Sequence, residues 1–400
     1  MNCRFHTFAY SPLCLLTVLA LGCSEDKAEG GLPANTAEVV ANYANIVHAS
    51  YEDSVEAAQA LEASVATLVE SPSAANLTAA QVAWRASREP YLQTEVYRFY
   101  EGPIDNEEDG PEGLLNAWPL DEEHIDYTDL EPTGGIVNDT SKTIDPDTLT
   151  EENEKDGDKN IATGYHAVEF LLWGQDLTDP SAAVPGERPF TDYVTDGTGT
   201  HANQDRRGDY VNTASEMIVE HLEGLVEAWD PDSNNNYRAE FVAAPPAESL
   251  GKILSGMVIL SGFETGGERV EAALRALDQE EEHSCFSDNT HRDMIQDVQG
   301  VQNVWLGTYE RIDDRRVSGP SLEDLVAAKD SALAEDITDQ IQESLDLANA
   351  MQIPFDREIT EGNSAGNARV DALSKSLFAQ QVLIDRVFEL YGLSRIPDPT

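Results

Sequence analysis

Apolar residues recur at intervals of three and four along most of the chain, and this spacing predicts amphipathic helices. One such segment runs from Asn35 to Glu70, and a second runs from Thr78 towards Phe99. Pro90 lies inside the second pattern and is expected to kink that helix, because proline removes a backbone donor. Further helical patterns cover residues 161–173, 209–228, 247–278, 292–312, 321–350 and 367–391.

Two segments, residues 101–160 and 174–204, break this pattern and are rich in Gly, Pro, Asp and Glu. The first is too long for a plain connection, which indicates a folded, functional excursion. No convincing alternation of apolar and polar residues predicts strands. The expected class is therefore all-α, with antiparallel helical bundles in two halves and long acidic loops. The polar stretch at residues 230–236 places the division between residues 35–232 and residues 233–400.

The N-terminal segment is typical of an export signal. Residues 13–21 form an apolar run that is too short to span a bilayer, and a small residue precedes Cys23. This predicts a lipoprotein signal peptide at residues 1–22 and a polar tether at residues 23–34, with Cys23 as the lipidated residue. An ordinary secretory signal is the alternative. The acidic start of the tether favours an outer-membrane lipoprotein of the cell envelope, facing the periplasm or the cell surface.

Charge excludes one class of partner. The 400 residues carry 25 Lys and Arg against 75 Asp and Glu, a formal net charge of −50. Such a surface repels phosphate backbones, so we expect no nucleic-acid partner. The same field concentrates cations nearby, but an acidic surface is not by itself a metal site.

The segment at residues 164–173 (GYHAVEFLLW) is apolar on every side, which predicts a buried helix. His166 and Glu169 are three residues apart, so their side chains share one face. A carboxylate in such a place must be paired, hydrogen-bonded or bound to a metal. One nitrogen and up to two oxygens suit a divalent or ferric ion. The alternative is a buried His–Glu hydrogen bond or a Glu paired with an arginine.

Further acids could complete a mixed nitrogen and oxygen site. Residues 253–269 (ILSGMVILSGFETGGER) contain small residues that permit close helix packing, followed by Glu264 and Glu268. Glu95 lies among arginines just after Pro90, and it is the acid in that segment that we would first place in a site. For residues 253–269 the alternative is a helix end whose acids pair with Arg98, Arg269 or Arg88. For the segment with Glu95 it is an ordinary ladder of charges on the protein surface.

Residues 280–293 (EEEHSCFSDNTHRD) bring several potential ligands together. His283, Cys285 and His291 could bind a soft metal such as zinc or copper, although their spacing matches no standard zinc pattern. The alternative is a tight loop in which Thr290 and Asp293 start the next helix and Cys285 is simply buried.

Several catalytic motifs are missing from the sequence. It contains no HExxH, no GxSxG and no Walker loop. The usual single-helix zinc-protease geometry is therefore not predicted, and no catalytic residue is assigned.

The Gly164, His166 and Glu169 positions fit the GxHxxE pattern of the imelysin family. That family includes iron-regulated exported lipoproteins and proteins first named as insulin-cleaving metallopeptidases. The resemblance covers about residues 36 to 390 and implies an all-helical fold with two bundle-like halves and the motif between them. Residues 170–176 extend the match to the motif. Further stretches resemble the iron-regulated subgroup: residues 97–105, 116–121, 266–269 and 282–293.

Together these features predict an exported, lipid-anchored protein that binds a metal ion in uptake or sensing. The resemblance favours iron, while zinc and copper stay open. His166 and Glu169 are the predicted ligands, and chemistry alone adds Glu95 and Glu268. The expected partners are the metal ion, a membrane through lipidated Cys23, and an envelope transport partner. The alternatives are a metallopeptidase and a non-catalytic helical docking module.

Overall fold

Helices make up most of the computed structural model, which describes residues 31–399. The predicted all-α class is confirmed. The α-helices are α1 (Thr36–Glu70), α2 (Ala74–Leu92), α3 (Glu112–Leu115), α4 (Glu122–Ile125), α5 (Gly135–Asn138), α6 (Pro146–Glu152), α7 (Gly164–Trp173), α8 (Gln204–Trp229), α9 (Tyr237–Ala243), α10 (Pro246–Ile259), α11 (Ala272–Ala276), α12 (Thr290–Leu306), α13 (Leu322–Ala327), α14 (Ser331–Asn349), α15 (Phe355–Ile359) and α16 (Ser364–Tyr391).

Helical segments of other types complete the chain. Four 3₁₀ helices are described, at Glu95–Tyr97, Pro180–Ala182, Phe190–Tyr193 and Gln279–Glu281. A π-helical segment, Leu260–Glu271, continues directly from α10 into α11. A π segment is rare at this length, and such geometry is often found at functional sites.

Local sequence signals set many of the helix ends. Polar side chains cap helix N-termini by accepting a backbone N–H, each worth about 1 kcal/mol. Gly307 and Gly392 end α12 and α16 in the left-handed conformation, with φ of 63° and 67°. The capping side chains are those of Ser73, Asp121, Asp145, Asn236, Ser321, Asp330 and Asn363.

Long helices pack pairwise around α7. Helix α1 packs against α2 and α8, and α7 lies against both α2 and α8. Helix α16 packs against α14, α10 and the π segment, while α12 contacts both α2 and the π segment. Four tryptophans are fully buried in these contacts: Trp84, Trp173, Trp229 and Trp305. All ten residues of α7, which carries the predicted ligands, are buried.

The described residues from Leu32 onward cluster as one compact unit. Helix α8 ends at Trp229 and α9 begins at Tyr237, so residues 230–236 form a connection, as the polar sequence indicates. The division into two halves at this point stays a prediction.

The second helix is shorter than its pattern predicted. It ends at Leu92, two residues after Pro90, and does not reach Phe99. The Tyr91 carbonyl accepts both the backbone N–H and the hydroxyl of Thr94, at 2.8 and 2.6 Å. These bonds turn the chain into the 3₁₀ helix that carries Glu95.

Two short strands correct the expectation of no β structure. Strands β1 (Thr308–Glu310) and β2 (Arg316–Ser318) pair antiparallel, with Tyr309 opposite Val317. The pattern at residues 292–312 was extended too far, because Gly307 ends α12. Three-residue strands are too short to show an alternation. The pattern at residues 321–350 divides into α13 and α14, where Asp330 caps a new helix start.

The acidic excursion at residues 101–160 is folded, as predicted, and contains α3 to α6. The predicted signal peptide, Cys23 and most of the tether lie outside the described residues. Within residues 31–399, no helix combines the length and apolarity needed to cross a bilayer.

Candidate metal site

Gly164 explains how α7 can start deep inside the protein. Its φ is +80°, a conformation that favours glycine. A Cβ at this position would lie 2.5 Å from the Leu115 carbonyl oxygen, so only glycine lets the end of α3 pack against the start of α7. The first residue of the GxHxxE pattern is therefore required by packing.

His166 and Glu169 face each other one turn apart on α7, and both are 0% exposed. The Nδ1 atom of His166 lies 3.0 Å from Oε2 of Glu169. The other oxygen, Oε1, accepts the Ser287 backbone N–H at 3.0 Å and the Ser287 hydroxyl at 2.7 Å. In contrast, Nε2 of His166 is buried and has no hydrogen-bond partner. This imidazole nitrogen is the unsatisfied atom of the pair.

Burial keeps both members of the pair neutral near pH 7. It raises the pKa of Glu169 to about 8, although the Ser287 hydrogen bonds act in the opposite direction. Burial also holds the pKa of His166 well below its usual value, and the nearby His283 and Arg88 act in the same direction. A neutral imidazole can donate a lone pair to a metal ion.

A second histidine–carboxylate pair lies against the first. His283 Nδ1 is 2.7 Å from Oδ2 of Asp293, which also accepts the Ser284 hydroxyl at 2.6 Å. The His283 and His166 rings meet edge to face, with centroids 4.7 Å apart. Burial lowers the pKa of His283, and the positive charge of Arg269 adds to this effect. Two neutral imidazoles, each in contact with a carboxyl group through Nδ1, therefore share one buried region.

Two residues of the acidic excursion complete the surroundings. Trp118 packs against His166 with ring centroids 5.0 Å apart. Asn116 accepts a hydrogen bond from Nη1 of Arg88 at 2.5 Å, and Nη2 of Arg88 lies 3.9 Å from Asp293. A fixed positive charge thus lies beside the second pair.

Glu95 belongs to a neighbouring group of ion pairs, which we call the Arg269 network. Its Oε2 atom accepts hydrogen bonds from Arg98 at 2.7 Å and Arg269 at 2.6 Å. Arg269 also donates to Asp297 at 2.9 Å and to Glu264 at 2.8 Å. Burial acts to raise the pKa of Glu95, but the two guanidinium groups outweigh it and hold that pKa below its usual value. Glu95 is therefore a buried, arginine-paired acid and does not belong to the surface ladder expected as the alternative.

Glu268 is exposed, whereas His166 and Glu169 are buried. Its prediction as a ligand assumed α-helical spacing, whereas the structure has i→i+5 geometry in this segment. Arg269 is the buried residue of the two. The structure therefore brings His166 and Glu169 together, places Glu95 among arginines, and leaves Glu268 at the surface.

The segment at residues 280–293 is a loop that leads into α12. Helix α12 begins at Thr290, and Cys285 is a free, buried thiol. Burial and the neighbouring Glu169 raise the pKa of that thiol. Within residues 31–399, no three His, Cys, Asp or Glu side chains are gathered closely enough to enclose a metal ion. The separate soft-metal site considered for this loop is therefore not preformed.

The neighbours predicted for His283 from the sequence were wrong. It was grouped with Cys285 and His291 because they are close in sequence. The structure instead joins His283 to His166, and a contact between such distant positions leaves no periodic signal. The nearest hint was the companion stretch at residues 282–293.

An all-helical fold with a buried GxHxxE motif defines the class of protein. The imelysin family model matches residues 47–384, and the chain belongs to the imelysin family.

Relatives agree with this assignment. The iron-regulated protein A of Synechococcus elongatus is 24% identical over 357 residues, covering 86% of this chain and 85% of that protein. A crystal structure of a candidate iron-regulated protein A precursor from Parabacteroides distasonis is similar, with a TM-score of 0.63 and 22% identity, over 89% of this chain and 97% of that one. An imelysin-like protein from Psychrobacter arcticum also has a TM-score of 0.63, at 14% identity, over 92% of this chain and 99% of that one.

Proposed function

We propose that this protein binds an iron ion at the His166–Glu169 pair and acts in uptake or sensing of the metal. The observation that carries the proposal is the buried Nε2 atom of His166, which lacks a hydrogen-bond partner. Family membership and the iron-regulated relatives support the choice of iron.

The tautomer of His166 depends on the charge of Glu169. When Glu169 is ionised, Nδ1 of His166 carries the proton and donates it to Oε2 of Glu169, and the Nε2 lone pair is left free. Metal-binding histidines commonly donate their second ring N–H to a carboxylate, which orients the ring and increases its basicity. A buried polar atom without a partner costs free energy, so a ligand at Nε2 would offset that cost.

A second imidazole is close to the same place. The His283 ring lies against His166 and is held by Asp293 in the same manner. We include His283 as a further candidate ligand. Glu169 then orients His166, and the remaining coordination positions would be taken by water or by a small chelating molecule, because two imidazoles do not complete the shell of an iron ion.

Calorimetry of iron binding tests the proposal. The double substitution His166→Ala with Glu169→Ala should lower the affinity for Fe²⁺ at least tenfold under anaerobic conditions. The matched control is His48→Ala with Glu52→Ala, a partly exposed pair one turn apart on α1. That control should bind iron like the natural protein. Unchanged affinity in the His166 and Glu169 variant would refute the site.

Export and lipid anchoring form part of the proposal. Cys23 follows an apolar run in the manner of a lipoprotein signal. The word precursor in the name of the Parabacteroides distasonis protein is compatible with export. Cys23→Ser should move the protein from the membrane fraction to the soluble fraction of the cell envelope. Retention of this variant in the membrane fraction would contradict the anchor, without affecting the iron site.

Peptidase activity would contradict a function in metal uptake or sensing. The metal-loaded protein should leave unfolded polypeptides intact, because both oxygens of Glu169 are already hydrogen-bonded and this residue is not free to act as a general base. Cutting that disappears in Glu169→Gln would replace metal uptake or sensing with metallopeptidase function.

A further inference from the structure

A cavity of about 310 Å³ opens beside the C-terminal end of α7. Its floor contains the buried residues Trp173, Gly174 and Arg188, and exposed residues form its mouth. The His166–Glu169 pair is not part of its lining. Pockets for small molecules measure about 300–1,000 Å³, so this cavity suits a ligand close to an amino acid in size.

Arg188 has one N–H group without an acceptor, although the residue is only 5% exposed. Its Nη1 atom donates to Oδ2 of Asp126 at 2.8 Å, and its Nη2 atom donates to the Phe170 carbonyl oxygen at 3.5 Å. The Nε atom is buried and has no hydrogen-bond partner. A buried donor of this kind costs free energy until an acceptor reaches it.

Gly174 leaves open space beside the Nε atom of Arg188. Apart from neighbouring residues of the chain, the three heavy atoms nearest to a Cβ at position 174 would all belong to Arg188, at 3.4 Å for Cβ, 3.7 Å for Nε and 3.9 Å for Cα. Gly174 also has a φ of +70°, a conformation that favours glycine. Because Gly174 and Arg188 both line the cavity, an acceptor atom of a ligand in this space would be within reach of Nε.

Tyr127 and His201 form an aromatic wall of the cavity. Their rings are stacked, with centroids 3.9 Å apart and an angle of 19° between their planes. The Asp192 carboxylate holds both rings, because it accepts the Tyr127 hydroxyl at 2.6 Å and lies 2.7 Å from Nδ1 of His201. A wall that is ordered before binding lowers the entropic cost of binding, and aromatic rings pack favourably against another ring.

The charges around the cavity favour a positively charged group at its mouth. Asp129 and Glu187 are exposed acids that line the cavity. Deeper in, the guanidinium groups of Arg188 and Arg207 face two carboxylates, so their charges cancel. The two acids at the mouth therefore leave a net negative charge, which attracts an ammonium group and repels a carboxylate.

We infer that this cavity binds a small aromatic molecule that carries both a primary ammonium group and a carbonyl oxygen. The carbonyl oxygen accepts the Nε–H of Arg188, and the ring packs against the wall of Tyr127 and His201. The ammonium group lies at the mouth near Asp129 and Glu187. An aromatic amino-acid amide has this chemistry, and so does an aromatic residue at the N-terminus of a peptide.

Ligand-observed NMR titration of the full chain with phenylalanine amide tests the inference. The natural protein should bind this probe saturably. His201→Ala removes the outer ring of the wall and should weaken binding about three- to tenfold. Asp129→Asn removes a charge at the mouth and should weaken binding about two- to fivefold. The matched controls His48→Ala and Asp232→Asn change residues that do not line the cavity, and they should leave the affinity unchanged.

Altered ligands test the Arg188 contact without breaking the buried ion pairs of that residue. Phenethylamine lacks the carbonyl oxygen and should bind about tenfold more weakly, because the charged donor then stays without an acceptor. N-acetylphenylalanine amide lacks the ammonium group and alanine amide lacks the ring, so each should bind about threefold more weakly or worse. A tripeptide with N-terminal phenylalanine distinguishes the two sources. Tighter binding than the amide indicates a peptide N-terminus, and weaker binding indicates a free amino-acid derivative.

The cavity site is refuted if phenylalanine amide does not bind saturably, if either His201→Ala or Asp129→Asn leaves its affinity unchanged, or if any of the altered ligands binds equally well. Equal binding of phenethylamine and alanine amide would show general attraction of amines to the acidic surface. The double variant His166→Ala with Glu169→Ala should bind phenylalanine amide like the natural protein. Failure of the iron site therefore leaves this test intact.

Discussion

The His166–Glu169 pair and the Arg269 network are both buried groups that contain carboxylates, but they differ in what faces the carboxylate oxygens. Glu169 meets an imidazole and two donors from Ser287, and burial raises its pKa to about 8. Glu95 meets two guanidinium groups that hold its pKa low. The network already contains its cations, whereas the pair has a free nitrogen and no cation in contact. This difference indicates which of the two is suited to bind a metal ion.

The largest expected effect comes from breaking the Arg269 network. Arg269→Met leaves Asp297 buried without its cation and Glu95 with Arg98 alone, and it should lower the free energy of unfolding by about 3–5 kcal/mol. Denaturant unfolding measures this change. The control Arg275→Met breaks an exposed ion pair with Glu271 and should cost less than about 0.5 kcal/mol. Equal effects of the two variants would contradict the structural role of the network.

Iron affinity should depend on pH because metal binding favours the ionised form of Glu169. Below its pKa of about 8, binding releases one proton, so the affinity should rise about tenfold per pH unit between pH 6 and 8. Anaerobic calorimetry in buffers of different ionisation enthalpy measures the released proton. In Glu169→Gln the part of this slope that is due to Glu169 should disappear. A natural protein whose affinity is constant over this range would contradict the buried acid.

The free energy of unfolding of the metal-free protein should also depend on pH through Glu169. The pKa of Glu169 is about 8 when folded and about 4.3 when unfolded. Between these two pKa values the folded protein binds one more proton than the unfolded chain, at Glu169. The contribution of Glu169 to stability is therefore fully present below about pH 4 and is lost as the pH rises to 8. Glu169→Gln removes this decline. Relative to the natural protein, the variant should gain at least about 1 kcal/mol between pH 5 and pH 8 by urea unfolding.

The smallest effect is expected from removing the Ser287 hydroxyl, which donates a hydrogen bond to Glu169. Ser287→Ala deletes the hydroxyl that donates to Oε1 of Glu169 at 2.7 Å, while the backbone donor remains. The pKa of Glu169 should rise further, and iron affinity at pH 7 should weaken by about 1 kcal/mol. Ser181→Ala, an exposed serine in the Pro180–Ala182 helix, serves as the control. The same affinity in both variants would show that the hydroxyl does not tune the pair.

The sequence by itself determined the helical class and the central pair. Apolar spacing of three and four residues is a local property, and an apolar helix with only two polar side chains must be buried. That logic placed His166 and Glu169 on one buried face, as the structure shows. The helix predicted at residues 292–312 was too long, because Gly307 ends α12 and the β1–β2 hairpin follows it.

Only the tertiary structure decided which distant side chains meet the pair. His283 and Ser287 reach α7 from a loop more than a hundred residues later in the chain, and no periodicity records such a contact. The π-helical segment turned Arg269 inward and left Glu268 in solvent, which α-helical spacing could not foresee. Helical periodicity depends on hydrogen bonds between near neighbours, whereas the composition of a site depends on how whole helices pack, and packing sums contacts across the entire fold.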